Sequence, residues 1–175
     1  DLEEEATQYV TEKLRLRREV AWGSEFFGTN IWDKDLSGQT DTPGTDEFKC
    51  WDESSSTPLE DIEDAKSIIK LATGLMPNTL VVSERVHQTL KHHADIKDVF
   101  KYTQAAVITQ QLLARVFEID NYFIAKAVKA SNPEDTDGDT NDELEYILDQ
   151  YGALLVYAAP RPTKRRPSGG YTFRW

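Results

Sequence analysis

The apolar residues of the first segment recur at helical intervals. Leu2, Tyr9 and Leu16 stand seven apart and Ala6, Val10 and Leu14 four apart, which puts them on one broad face. The spacing predicts a helix from about Leu2 to Ala21, about 30 Å long at 1.5 Å per residue. Glutamates crowd its first turn and Arg15, Arg17 and Arg18 follow, the order that the helix dipole favours. Gly23 and Ser24 weaken it. A helix this long with a single apolar stripe must lie along something larger than itself.

The helical period then disappears. Gly28, Gly38, Pro43, Gly44 and the Ser54-Ser55-Ser56 run punctuate the segment from Gly28 to Thr57, with Ile31, Trp32, Phe48 and Trp51 between them. So long a structureless loop is unusual in a compact domain, so short strands or an extended arm pinned by the aromatics are expected. Thr57, Pro58 and Glu60 read as N-cap, first helical position and capping-box acid. Ile62, Ala65, Ile68, Ile69 and Ala72 continue the helix, Gly74 ends it in the left-handed conformation, and Pro77 forbids its continuation.

Thr79–Val82 reads as a buried strand, and Ser83 as the cap of a helix carrying Val86 and Leu90. After a short charged stretch, Ala105 to Phe117 reads as one helix. Tyr122 to Val128 alternates as a strand; Leu144 to Leu148 forms a further apolar segment, and Ala153 to Tyr157 another strand. Pro160 and Pro162 stop that strand, and Tyr171 to Trp175 can form a last short one. No internal repeat is present. The order of elements reads as an α+β fold.

The chain has 175 residues, enough for one domain with an elaborated flank, and 39% of them are hydrophobic. The mean hydropathy of −0.58 makes for an economical core. No apolar run reaches the length of a membrane-spanning helix, and no signal segment opens the chain. Its start, Asp1-Leu2-Glu3-Glu4-Glu5, looks like the middle of a longer protein. A net charge of −11 argues against sequence-independent nucleic-acid binding. Charge is also segregated: Glu134 to Asp149 carries acids and no base, whereas Arg161 onward carries Lys164, Arg165, Arg166 and Arg174 and no acid. These are either solvated loops or complementary surfaces of neighbouring copies.

Candidate chemistry is sparse. Asp135, Asp137 and Asp139 suggest a calcium loop, but counted from Asp135 the sixth position is Thr140 rather than Gly and the twelfth Tyr146 rather than Glu. His87, His92 and His93 lack the i, i+4 spacing of a helical metal pair, and Glu84-x-x-His87 is a single unit where a di-metal site needs two. They read as exposed histidines at helix ends. Cys50 is alone, so no intrachain disulfide is available, and it has no histidine near it in sequence. Neither a phosphate-binding nor a dinucleotide glycine pattern exists. No catalytic, cofactor-binding or metal-binding residue is assigned, and no enzymatic activity or cofactor is expected.

The order of several segments resembles the major capsid proteins of tailed bacteriophages. They are Thr57-Pro58-Leu59-Glu60-Asp61-Ile62 leading to Thr73-Gly74-Leu75-Met76-Pro77-Asn78-Thr79-Leu80-Val81-Val82, then His93-Ala94-Asp95-Ile96 running to Lys101-Tyr102-Thr103. Ala153 to Tyr157 and Pro167 to Trp175 resemble the family's close; upstream Arg18-Glu19, Trp22, Phe26-Phe27, Trp32 and Trp51-Asp52 also match. The resemblance implies the Hong Kong 97-type capsid fold. A spine helix would run from Asp1 to about Phe27. Gly28–Ser56 and Arg161–Trp175 would belong to the peripheral domain, and Thr57–Pro160 to the axial domain, with the loop near Asp137 at the symmetry axes.

The N-terminal arm and extended loop that precede the spine helix in that family are not in the sequence. The implied function is that of a subunit of an icosahedral shell enclosing double-stranded DNA, assembled in the bacterial cytoplasm. Its partners would be copies of itself in pentamers and hexamers, with scaffold, portal or decoration proteins, and no membrane. A bacterial nanocompartment shell of the same fold and a monomeric α+β adaptor are the alternatives.

Overall fold

The computed structural model describes residues 2–101, 108–130, 144–161, 163 and 168–170. Helix α1 runs from Leu2 to Phe26, five residues beyond the periodic stretch. Gly23 does not break it. A Cβ there would stand 2.6 Å from the Leu148 side chain, so glycine lets the helix press against the body of the protein. The Phe27 amide still donates to the Gly23 carbonyl at 3.0 Å, and the Trp32 indole N–H satisfies the Phe26 carbonyl at 2.8 Å. The end of α1 is thus capped by an aromatic side chain.

The segment that follows is an arm with short strands, as its composition implies. Strands β1 (Ser37–Gln39) and β2 (Glu47–Lys49) pair in parallel. Phe48 packs on Trp51 with ring centroids 5.3 Å apart, and the Trp51 indole donates to Asp61 Oδ2 at 2.8 Å. That bond ties the arm to helix α2 (Pro58–Thr73). Proline opens α2 as expected, and Gly74 closes it at φ 72°, its N–H bonded to the Lys70 carbonyl. The capping box does not form: Thr57 sits at φ −125°, ψ 69°, and its side chain makes no cap bond. Buried Pro58 and the acids Glu60 and Asp61 in the first turn set the start instead.

Strand β3 (Thr79–Ser83) is buried throughout and lies between β4 (Asn121–Ala125), parallel to it, and β7 (Ala153–Val156), antiparallel. Helices α3 (Glu84–His92), α4 (Ala94–Phe100) and α5 (Gln110–Val116) complete the helical layer with α2. Ser83 caps α3 as predicted, its hydroxyl accepting from the Val86 amide. The core is Ile62, Leu80, Val82, Leu90, Ile96, Leu113, Phe117, Ile119 and Tyr122. Leu80 and Val82 point one way from β3; Val81 points the other, in register with Phe123 and Leu154.

Three further sequence expectations change. Helix α4 lies in the stretch read as merely charged; Lys97 and Asp98 face outward and Asp95 is half-buried, while Ile96 is fully buried. The helix expected from Ala105 starts at Gln110, because Thr109 is extended (φ −100°, ψ 164°) and its side chain caps Leu112; residues 102–107 lie outside the described part. The strand expected over Tyr122–Val128 breaks in two. Its partner β3 ends at Ser83, opposite Ala125, where α3 begins. The chain then pairs anew, as β5 (Val128–Ala130) against β6 (Leu144–Tyr146), with Lys129 and Glu145 bridged at 3.0 Å. The expected strand 171–175 and most of the acidic loop, including Asp135, Asp137 and Asp139, lie outside the described residues.

Candidate assembly surface

Among the described residues, the one arrangement that looks like catalytic chemistry is Ser56 against His93, with Oγ and Nε2 3.0 Å apart in a buried setting. Hydrogen-bond direction decides its role. His93 Nδ1 accepts from the Asp95 amide at 3.2 Å, so the neutral ring carries its proton on Nε2 and donates to Ser56. The Ser56 hydroxyl donates onward to the Glu53 carbonyl at 2.7 Å. A ring already protonated toward the serine cannot take its proton, so this is a relay that caps α4 and pins the arm. The expectation of exposed helix-end histidines is corrected here: His93 is buried and His87 half-buried, and only His92 is exposed. The buried position of His93 follows from the arm crossing α4, which local spacing does not report.

His87 Nδ1 lies 3.1 Å from the Tyr122 hydroxyl. Burial holds the imidazole below its usual pKa, with Lys126 and Lys91 adding to the effect and Glu84 opposing it. Burial likewise pushes the Tyr122 phenol well above its ordinary range. Asp61 is raised by burial, against the lowering effect of the Trp51 bond. Glu84 accepts from the exposed Tyr146 hydroxyl at 3.1 Å and so raises its pKa. Among the described residues no group of His, Cys, Asp and Glu is placed to hold a metal ion. The depression lined by residues 145–151 is open and comes from one segment.

What the molecule does present is apolar surface. Leu2, Tyr9, Val10 and Leu14 of α1 are all more than half exposed. Gly23 is the buried residue of this 25-residue helix. Among the described residues its aromatic anchor lies in the last turns: Trp22 packs on Phe26 and Phe27, Phe26 on Trp32, and Phe27 against Gly152. Further along, Leu71 at the end of α2 is 88% exposed, and Met76, Phe123 and Tyr151 are also bare. Within α1, Lys13 lies 5.2 Å from the centre of the Tyr9 ring. No helix among the described residues is long and apolar enough to cross a membrane. A helix of this length rarely holds its shape from propensity alone; packing of an apolar face normally supplies most of its stability.

Residues 41–147 match the family described as phage major capsid protein E. The major capsid protein of Burkholderia phage BcepMu is 29% identical over 180 residues, covering 99% of this chain and 53% of that protein. The crystal structure of a phage-related protein from Bordetella bronchiseptica RB50 has a TM-score of 0.72 at 23% identity, over 94% of this chain and 50% of that one. The chain therefore spans about half the length of these relatives. The family match covers more than half of the chain, including strands β3 and β4 of the core sheet and α2 to α5. The chain belongs to the phage major capsid protein E family.

Proposed function

We propose that this chain forms part of the subunit of an icosahedral phage or prophage shell, assembled in the bacterial cytoplasm around double-stranded DNA. The observation that carries the reading is the bare apolar stripe of α1 in a chain of a capsid-protein family. A surface of that kind is costly in an isolated protein and useful where copies meet. Many weak contacts repeated by symmetry close a stable particle without any strong pairwise bond. The net charge of −11 also suits a wall that must not hold packaged DNA tightly.

In the Hong Kong 97-type architecture that this reading adopts, α1 is the spine helix. Residues 28–56 and 161–175 form the peripheral domain, and 57–160 the axial domain around the five- and six-fold axes. Copies of the chain in pentamers and hexamers are the main partners, with scaffold, portal and decoration proteins completing the set. A nanocompartment of the same architecture would differ in its contents, protein cargo instead of DNA. A monomeric adaptor would not assemble at all.

Electron microscopy and light scattering of the full-length protein test the reading. Discrete megadalton particles are expected, and nuclease-protected double-stranded DNA inside them when they are isolated from infected or induced cells. A stable monomer at high concentration contradicts the proposal, and particles filled with protein point to the nanocompartment.

A further inference from the structure

The bare face of α1 carries a pattern of its own. Glu3, Val10 and Arg17 stand seven residues apart, so they stack in one line along the helix surface, acid at one end and base at the other. All three are exposed. Ala6 and Leu14 flank that line at equal distances on either side of Val10. The pattern is self-complementary when read backwards.

Resting on the self-assembly proposed above, we infer that α1 pairs antiparallel with the α1 of a second copy, across a two-fold axis at Val10. In that register Val10 meets Val10, Ala6 meets Leu14 twice, and Glu3 meets Arg17 twice. A parallel pairing would instead set Glu3 against Glu3 and Arg17 against Arg17, and like charges at close range oppose association. The contact is isologous, as closed symmetric assemblies require of a two-fold. It also fits the length of the helix. The overlap covers residues 2–18 and stops before Trp22 and Gly23, where α1 becomes anchored on its own chain. Both helices keep their anchors, and Val10 and Leu14 of each are covered by the other.

Disulfide trapping in the full-length protein tests this, with Cys50→Ser as background and particle formation scored in parallel by electron microscopy. Val10→Cys is expected to give a linked dimer under mild oxidation. Leu2→Cys is expected to link at least about tenfold less, because two Leu2 positions would stand about 24 Å apart, far beyond the roughly 4–7 Å between Cα atoms that a disulfide spans. Arg17→Glu should reduce the Val10→Cys yield, and adding Glu3→Arg to it should restore the yield.

Particles that form without a Val10→Cys link overturn the pairing and leave the shell intact. A link that persists without any particle upholds the pairing and removes the shell reading, and neither link nor particle removes both. Leu2→Cys linking as readily as Val10→Cys overturns the antiparallel register.

Discussion

Strand β3 and the front half of α1 are both lined with aliphatic residues, yet their fates are opposite. Every residue of β3 is buried, and Val82 has no exposed surface. Leu2 is 83% exposed and Leu14 60%. The difference lies in what each segment finds within the chain. β3 has a strand on either side and four helices over one face, so its backbone and side chains are satisfied locally. Among the described residues α1 is anchored at its last turns, and its front turns hold Leu2, Tyr9, Val10 and Leu14 out into the open. The first region is covered within the chain, and the second is left open for the assembly proposed above.

Substitutions should separate the two regions sharply. Leu90→Ala or Leu113→Ala, each removing a fully buried side chain, should cost about 2–5 kcal/mol in denaturant unfolding. A value under about 1 kcal/mol would mean that the core is not where the structure puts it. Gly152→Ala probes the junction between the regions, since a Cβ there collides with the Phe27 ring. It should cost about 1–3 kcal/mol from overpacking, and loosening of the Phe27 contact should be visible as a change in Trp22 fluorescence.

The His87–Tyr122 contact should give a smaller, pH-dependent effect. Folding holds His87 below its usual value, so the unfolded chain binds the proton more readily. The contribution is intact above about pH 6.5, and it is lost as pH falls from there through the lower folded value. His87→Gln should flatten this part of the profile in unfolding measured between pH 7.5 and 5; an unchanged profile would assign the dependence to other groups. Leu14→Gln should alter monomer stability by no more than about 0.5 kcal/mol while reducing particle yield. A large loss of monomer stability would show that the stripe is covered within the chain.

Much of this contrast was legible in the sequence, and the exceptions have physical causes. The long first helix, the Gly74 stop, the β3 strand and its Ser83 cap follow from local periodicity and capping chemistry, and all appear. Helix α4 was hidden because it needs one inward residue, Ile96, to be held by the core, and seven residues give too little period to reveal that. The break between β4 and β5 depends on where β3 ends, which is a fact about the partner strand. The Ser56–His93 relay joins residues far apart in the chain and left no local signal. The bare stripe of α1 was readable as a stripe; that nothing within the described chain covers its front turns required coordinates.

Amide hydrogen exchange, followed in both the dissociated and the assembled protein, tests the central claim most directly. β3 should be protected in both states, whereas residues 2–18 should exchange fast in free subunits and slow markedly on assembly. Protection of residues 2–18 that is equal in the two states, whether high or low, would contradict the account.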